Sequence, residues 1–372
     1  MSSLVPEGWS RKKLGDSLIP RPKSKLPSGE SNPLGYYDFY VCSHKVLKSF
    51  HNEYSSPSIL FSTGGEASVH LATERYAFST DVWATEFEGD ICNDYVFRLL
   101  EENIRTINYS GFQGSGIKHL DKSFIEKLEF SIPPLPEQKK IASILTSVDE
   151  VIENTQQQID KLQDLKKATM NELLTKGIGH TEFKDSELGR IPKSWEVSLI
   201  GEVCEVGTGK KDTQNKMKYG KYPFFVRSQT IERIDSYSFD GEAILTAGDG
   251  VGTGKVFHYV NGRFDFHQRV YKLSDFRGGA IGKFLYYCFS SRFLKQVQQF
   301  SARGSVESVR MEMITGMAIP LPSIQEQSKI VDCISAIETN VSISKQKLSQ
   351  TQSLKKSLMQ DLLTGKVRVA VN

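Results

Sequence analysis

The sequence predicts an α+β protein in which two similar α/β domains are separated by two long helices. We expect these helices to form an antiparallel coiled coil and the molecule to be pseudo-twofold. The main observation is that the middle of the chain is repeated 189 residues later, where Glu137-Gln138 matches Glu326-Gln327 and Leu173-Leu174-Thr175 matches Leu362-Leu363-Thr364. A period this long indicates two copies of a domain, because solenoid repeats run about 20–50 residues.

A second pair of similar segments precedes the two helical copies. Val5–Asp16 and Ile191–Glu202 share a proline, a tryptophan and a glycine in register, with Trp9 matching Trp195. At 372 residues, the chain is long enough for two domains with separate cores. We therefore divide it into four segments that alternate between mixed and helical character: 1–131, 132–180, 181–318 and 319–372.

The two helical segments carry apolar residues at alternating steps of three and four, in the same register in both copies. Such a 3.5-residue repeat, sustained over about four heptads, is typical of a coiled coil. The expected apolar seam contains these positions: Leu145, Val148, Ile152, Ile159, Leu162, Ile334, Ile337, Val341, Leu348 and Leu358.

Polar residues interrupt the seam at equivalent places. Thr155 matches Ser344, and Lys166 matches Lys355; polar seam positions weaken a coil but fix its register and partner. The shared register favours pairing of the two helices with each other and a role as a spacer. The alternative is that each helix packs on its own domain as an ordinary amphipathic helix.

The mixed segments predict α+β domains. In the second, strand-like alternation covers Tyr222–Ile231, Glu242–Asp249 and Gly254–Leu273. Within it, Val260–Arg263 contains Asn-Gly and predicts a hairpin turn, and Ile281–Phe300 predicts an amphipathic helix. The first mixed segment has a similar layout with different residues, which suggests two domains that recognise different targets.

Composition narrows the class of protein. The net charge is only +3. The sequence has no run of eighteen apolar residues, so it predicts no membrane span, and its first residues lack a hydrophobic signal segment. The 5 cysteines are scattered, without metal-binding spacing, and predict reduced thiols. We therefore expect a cytoplasmic protein with no membrane partner, and we leave open one reactive cysteine.

No complete catalytic motif stands out in the sequence. Gly248–Val256 resembles a phosphate-binding loop, but Asp249 stands where the motif has its first glycine. Val256 stands where the motif has Ser or Thr. Ser31–Leu34 lacks the second proline and the aromatic residue of a base methyltransferase motif, and no nucleophile elbow occurs. The sequence thus predicts no catalytic residues and no metal site.

Basic residues give a moderate nucleic-acid signal. Lys and Arg exceed Asp and Glu by roughly six over residues 204–318, whereas residues 17–131 are acidic by roughly four. In that acidic segment, basic residues cluster at 21–25, 44–48 and 118–122. Such groups neutralise phosphates and read base edges, although they can also be solvated surface. The candidate DNA-binding residues are Lys25, Lys45, Lys48, Lys118, Lys210, Lys211, Lys216, Arg227, Arg263, His267, Arg269 and Arg303.

The order of these segments resembles a known family. Pro134–Ile141 contains Pro-Leu-Pro-Glu-Gln, and Pro322–Ile330 is its weaker copy. Each string opens a helical segment that is preceded in the chain by a tryptophan and that ends near Leu-Leu-Thr. With these elements the whole chain resembles the specificity (S, or HsdS) subunit of type I restriction–modification systems. The resemblance implies two target-recognition domains, each reading half of a bipartite, asymmetric site in double-stranded DNA.

The resemblance also implies partners and cofactors. The specificity subunit would be non-catalytic and would dock two modification subunits and restriction subunits. SAM would belong to the modification subunit and ATP with Mg²⁺ to the restriction subunit, so this chain would hold no cofactor. Two alternatives stay open from the residues: a self-contained DNA methyltransferase or nuclease, and a coiled-coil adaptor that binds only protein.

Overall fold

The computed structural model describes residues 5–301 and 308–371. The chain forms two compact units: unit 1 comprises Met1–Gln156 with Gln346–Asn372, and unit 2 comprises Gln157–Lys345. Each long helix therefore contributes residues to both units. The four predicted segments, by contrast, set the helices apart from the mixed domains.

Unit 1 contains short strands and helices around two buried apolar clusters. Its strands are β1 (Ser10–Lys13), β2 (Leu18–Pro20), β3 (Tyr37–Tyr40), β4 (Leu47–Ser49), β5 (Ser58–Ser62), β6 (Val69–Ala72), β7 (Tyr76–Phe78), β8 (Val82–Phe87), β9 (Phe112–Gln113), β10 (His119–Leu120) and β11 (Glu129–Ile132). Its helices are α1 (Asn93–Glu102), α2 (Ile104–Thr106), α3 (Lys122–Lys127), the first part of α4 (Leu135–Lys176) and the last part of α8 (Ile324–Leu363).

Two small sheets organise unit 1. Strands β2, β8, β5 and β6 form an antiparallel sheet in that order, and β4, β3 and β7 form a second sheet in which β3 and β7 run parallel. Every residue of β5 is buried, as expected for an apolar strand covered on both faces. Tyr95 and Leu99 of α1 share the core with Ile141 and Leu145 of α4, so the helix is part of the unit's interior.

Unit 2 has longer strands and a larger sheet. Its strands are β12 (Phe183–Ser186), β13 (Gly189–Pro192), β14 (Glu196–Leu199), β15 (Glu205–Thr208), β16 (Tyr222–Phe225), β17 (Ile231–Ile234), β18 (Phe239–Ala247), β19 (Phe257–Phe266), β20 (Val270–Ser274) and β21 (Ala318–Leu321). Its helices are α5 (Ile200–Val203), α6 (Gly282–Ser301), α7 (Met311–Thr315), the last part of α4 and the first part of α8.

Six strands of unit 2 form one sheet, in the order β15-β20-β18-β19-β16-β17. The predicted helix at 281–300 is confirmed as α6, and Phe284, Phe289 and Phe293 on it are fully buried in the core. The polar stretch 177–190 after α4, which the sequence predicts to be a linker between the two copies, is not irregular throughout. Within it β12 and the start of β13 pair as an antiparallel hairpin.

The predicted hairpin turn at Val260–Arg263 is wrong. These residues lie inside β19, where Gly262 pairs with Gly241 of β18. Both glycines have positive φ, +127° and +152°, and glycine inside a strand marks a bend that residues with a side chain disfavour. The Asn-Gly pair therefore marks a bend in a long strand and not the end of one.

The two long helices pack antiparallel within each unit, as predicted. In unit 1, Met359 and Leu362 near the end of α8 share the core with Ile141 near the start of α4. In unit 2, Leu174 near the end of α4 shares the core with Ile334 near the start of α8. Among the predicted seam residues, Leu145, Ile159 and Ile334 are buried and the other seven are half-buried. The partner of each seam residue stays a prediction.

Two equivalent ion pairs join the helices. In unit 1, Lys355 Nζ lies 2.9 Å from Asp149 Oδ1, and in unit 2, Lys166 Nζ lies 2.9 Å from Glu338 Oε1. Two of the four polar seam positions that the sequence indicates, Lys166 and Lys355, are therefore paired with acids on the opposite helix. A register shift would leave these half-buried charges unpaired, which is costly.

The repeated Glu-Gln pair fixes the start of each long helix. Trp9 Nε1 donates to Glu137 Oε2 at 3.3 Å, and Trp195 Nε1 donates to Glu326 Oε2 at 2.9 Å. The repeated tryptophan and the repeated glutamate are thus partners of each other in both units. Hydrogen bonds from Arg368 to Glu137 lower the pKa of that carboxyl group.

Glycine ends both long helices, at equivalent positions. Gly177 follows α4 with φ +66°, and Gly365 follows α8 with φ +69°, both in the left-handed region that favours glycine. A Cβ at Gly365 would lie 2.6 Å from Pro6 Cγ, and one at Gly177 would lie 2.6 Å from Trp195. Each helix end therefore packs closely on the segment that carries the repeated tryptophan.

Candidate nucleic-acid interface

In unit 2, the loops at one end of the large sheet bring several predicted DNA-binding residues together. We call this region, residues 209–212, 226–230, 248–256 and 267–269, the unit 2 loop end. His267 N donates to Phe225 O at 2.9 Å, Gly248 N to Arg269 O at 2.8 Å and Gln268 N to Lys211 O at 2.8 Å. These backbone bonds place Lys211, Arg227 and Arg269 in adjacent loops.

An acidic residue lies between the two arginines. Asp249 Oδ1 accepts a hydrogen bond from Arg227 Nη1 at 2.9 Å, and Asp249 Oδ2 lies 3.7 Å from Arg269 Nε. The carboxylate is 21% exposed, whereas the Arg227 and Arg269 side chains are 45% and 63% exposed. The arginines are therefore oriented by a partly buried acid while their donor groups stay accessible.

His267 supports this loop end from inside. Its side chain is 3% exposed, and its Nδ1 accepts a hydrogen bond from Arg269 N at 2.9 Å. Burial lowers the pKa of His267, and the Arg227 charge lowers it further. A neutral, buried imidazole is poorly suited to contact DNA directly, so its role here is to hold the turn that carries Arg269.

The other candidates of unit 2 lie in different settings. Lys210 is exposed next to Lys211, and Lys216 Nζ pairs with Glu232 at 2.9 Å. Arg263 Nε pairs with Asp240 at 2.8 Å, near the start of β18, whereas Asp249 follows the end of that strand. Arg303 lies outside the described residues.

Unit 1 has the same backbone frame at the corresponding loop end, residues 25–26, 41–45, 63–66 and 79–81. Ser79 N donates to Tyr40 O, Thr63 N to Asp81 O and Thr80 N to Leu26 O, at 2.8 to 3.1 Å. These bonds correspond, one for one, to the three that define the unit 2 loop end. The two units therefore hold the loops at this end with the same set of backbone bonds.

The side chains on this shared frame differ. Where unit 2 has Arg227, Asp249 and Arg269, unit 1 has Cys42, Gly64 and Asp81. The arginine pair and its acid are therefore specific to unit 2. A common frame with different side chains is the arrangement expected of two recognition surfaces with different targets.

The basic clusters of unit 1 converge on its loop end, although the segment is acidic overall. Lys25 precedes Leu26 of the frame, Lys45 lies in the loop after β3, and Lys118 O accepts from Gly65 N at 2.9 Å. All three lysine side chains are exposed. Lys48 differs, because its Nζ pairs with Asp38 at 2.8 Å across the β3–β4 ladder.

The described residues show no sign of a metal centre or a membrane span. Across residues 5–301 and 308–371, no three His, Cys, Asp or Glu side chains are grouped to hold a metal ion. No helix in this part of the chain has the length and apolarity that crossing a bilayer requires. All five cysteines are free thiols, and burial raises the pKa of both Cys204 and Cys288 to about 12.

Comparison with known proteins identifies the family. The family model of the type I restriction modification DNA specificity domain matches residues 6–164 and again residues 192–352. The chain belongs to this family. It is a specificity subunit of a type I restriction–modification system, and the two matches agree with the internal repeat.

Individual relatives of the specificity subunit agree. The MjaVIII specificity subunit of Methanocaldococcus jannaschii is 28% identical over 98% of this chain and 94% of its own length. The EcoDI specificity subunit of Escherichia coli is 28% identical over 47% of this chain and 38% of its own length. The crystal structure of the S subunit from M. genitalium has a similar fold, with a TM-score of 0.75, 15% identity and 98% of both chains covered.

Some features of the specificity subunit were missed from the sequence. In the sequence, Asp249 is notable only as a departure from a phosphate-binding loop, and its spacing to Arg227 and Arg269 gives no local signal. Glu137 and Glu326 were recognised as repeated, but their tryptophan partners lie 128 and 131 residues away. The available signal for this contact is that both the tryptophan and the glutamate occur in each copy of the repeat.

Proposed function

We propose that this specificity subunit reads a bipartite, asymmetric site in double-stranded DNA through its two loop ends, one half-site for each. The observation that carries the proposal is the shared backbone frame with different side chains in the two units. Guanidinium groups in the unit 2 loop end suit guanine edges and phosphates, whereas the lysines of the unit 1 loop end suit phosphates.

In this proposal the chain contributes recognition and assembly but no chemistry. Two modification subunits would supply SAM and adenine methylation, and restriction subunits would supply ATP and Mg²⁺. The methylated base would be rotated out of the duplex into the modification subunit, because a stacked base is out of reach of a catalytic site. The complex would act in the cytoplasm, where its DNA substrate lies. The free cysteines agree with a reducing compartment.

The experiment compares arginine variants in the complex with modification subunits. Methylated positions in DNA give the recognition sequence of each complex. We expect Arg227→Gln and Arg269→Gln to relax one half-site and to cost about 1–3 kcal/mol of discrimination each. The other half-site should stay the same.

Arg263→Gln is the matched control, since it removes a paired arginine from the same unit. It should leave the recognition sequence unchanged. Loss of methylation without any change in sequence preference in the Arg227 and Arg269 variants would contradict the proposed reading surface.

A further inference from the structure

A pocket of about 280 Å³ opens at the unit 1 loop end. Its lining includes Arg21, Lys23, Thr63, Trp83 and Lys122. Lys23 and Lys122 come from basic clusters that are almost a hundred residues apart in the sequence, and neither is among the DNA-binding candidates. The fold thus combines two separate basic clusters into one concave site.

The two lysines of this pocket differ from its arginine in their ion pairing. In the part of the chain that the structure describes, neither Lys23 nor Lys122 forms an ion pair. The carboxylate next to Lys122, that of Asp121, instead accepts a hydrogen bond from Ser123 N. Arg21 differs, because its Nη2 lies 2.7 Å from Glu86 Oε2. The pocket therefore has a net positive charge carried by two ammonium groups.

Trp83 fixes one of these ammonium groups. Lys122 Nζ lies 5.1 Å from the centre of the Trp83 ring, within the range of a cation–π contact. The indole is only 6% exposed, so it offers little surface on which a nucleic-acid base could stack. The site is consequently suited to an anion and not to a base.

The corresponding place in unit 2 lacks this chemistry. Tyr271 takes the position of Trp83, as the second residue of β20, and its hydroxyl donates to Val309 O at 3.0 Å. Met311 takes the position of Lys122, as the first residue of α7. The pairing of a lysine with an indole at this place is thus a feature of unit 1.

We propose that this pocket binds one backbone phosphate of the DNA half-site read by unit 1, with Lys23 and Lys122 as the two cationic donors. The inference rests on the proposed function, because that function brings DNA to this loop end. A phosphodiester is the ligand that fits, since ammonium groups bind phosphate as point charges and read no base. The contact would fix the position of unit 1 on the duplex.

The test uses the complex with modification subunits and a duplex that carries its own methylation site. Neutral methylphosphonate linkages replace the phosphates of the unit 1 half-site one at a time. We expect the Lys23→Gln/Lys122→Gln variant to bind natural duplex about five- to tenfold more weakly, with a salt-dependence slope lower by about 0.9. At one linkage, methylphosphonate should weaken wild type by a similar factor and the variant not at all.

Lys13→Gln is the matched control. Lys13 is an exposed lysine of the same unit, on the strand that pairs with β11 ahead of α4. This variant should keep the wild-type affinity, slope and response to methylphosphonate. If the double variant does not assemble, Lys23→Gln alone carries the test, because Lys23 lies outside helices and strands.

Additive losses at every linkage, or an altered base preference in the half-site, would overturn the phosphate site. These outcomes are distinct from failure of the proposed function. That function fails if the arginine variants of unit 2 leave both half-sites unchanged, whatever the methylphosphonate scan shows. The phosphate site alone fails if those half-sites respond as expected and no linkage couples to the lysines.

Discussion

Asp249 illustrates how one side chain can affect both affinity and specificity. It lies between Arg227 and Arg269 at the unit 2 loop end, at 2.9 Å and 3.7 Å from their guanidinium groups. In free protein it orients both cations. Near DNA, Asp249 would also repel phosphates. Only a DNA sequence that forms good contacts with both arginines would offset that repulsion.

Asp249→Asn should therefore raise non-specific affinity while lowering discrimination. We expect binding to random duplex to tighten by about three- to tenfold, because one negative charge near the phosphates is removed. Binding to the specific site should gain less, so the ratio of the two affinities should fall. Titrations of the complex with both duplexes at several salt concentrations measure this ratio.

Asp240→Asn is the control for this prediction. It also removes a carboxylate paired with an arginine of unit 2, at 2.8 Å from Arg263, but near the start of β18. It should change neither affinity. Weaker binding of Asp249→Asn to random duplex would show that the acid acts only by positioning the arginines.

Sequence reasoning at the residue scale found charges but not their surroundings. It selected Lys211, Arg227 and Arg269, which the fold brings into adjacent loops. It also selected His267, whose burial depends on contacts formed only by the folded turn. In the sequence, Lys23 and Lys122 belong to separate basic clusters, and only the fold shows that they line the same pocket. Ion pairing and burial arise from distant residues, so local composition could not sort these candidates.

At the scale of elements, the glutamine of the Glu-Gln pair joins each long helix to the backbone around its start. Gln138 Nε2 donates to Pro133 O at 2.9 Å and to Asp90 O at 2.8 Å, while Cys92 N donates to Gln138 Oε1 at 2.8 Å. Gln327 makes the same three bonds in unit 2, with Pro322 O, Gly279 O and Ile281 N. This repeated side chain thus satisfies three backbone groups in each unit.

Gln327→Ala should destabilise unit 2 strongly. The Gln327 side chain is fully buried, and its removal leaves three backbone groups without a hydrogen-bond partner. Each unsatisfied buried group costs about 1–3 kcal/mol. We expect the free energy of unfolding to fall by about 3 kcal/mol or more. Urea unfolding of the full chain measures the change.

Gln325→Ala provides the comparison, because Gln325 lies in the same first turn of α8 and is exposed. Its effect should stay within about 0.5 kcal/mol. Equal effects of the two substitutions would mean that the bonds of Gln327 do not hold the helix start.

The helices were the elements that the sequence predicted best. A heptad pattern is local, and both α4 and α8 cover most of the segments in which it occurs. The long strands of unit 2 were harder, because β19 bends at Gly262 and looks like a turn in the sequence. The hairpin of β12 and β13 was missed, since its polar residues resemble those of a linker.

At the scale of the molecule, the repeat explains why one chain can carry two recognition surfaces. Each unit combines one mixed domain with residues from both long helices, so the helices are part of both cores. The sequence of the mixed domain can vary without loss of the glutamine bonds at the helix starts, because Gln138 and Gln327 bond to backbone groups that other residues also provide. Recognition and assembly are therefore separable in this fold.

The most direct test of this account is to replace residues 204–318 with the corresponding segment of another specificity subunit. The segment begins directly after α5 and ends at the first residue of β21. Trp195, Glu326 and most of the β14–β21 ladder therefore stay in place. Sequencing of methylated positions in DNA modified by the hybrid complex gives both half-sites. The account predicts that one half-site changes to that of the donor and the other stays the same. A hybrid that methylates DNA with both half-sites altered, or with neither altered, would contradict it.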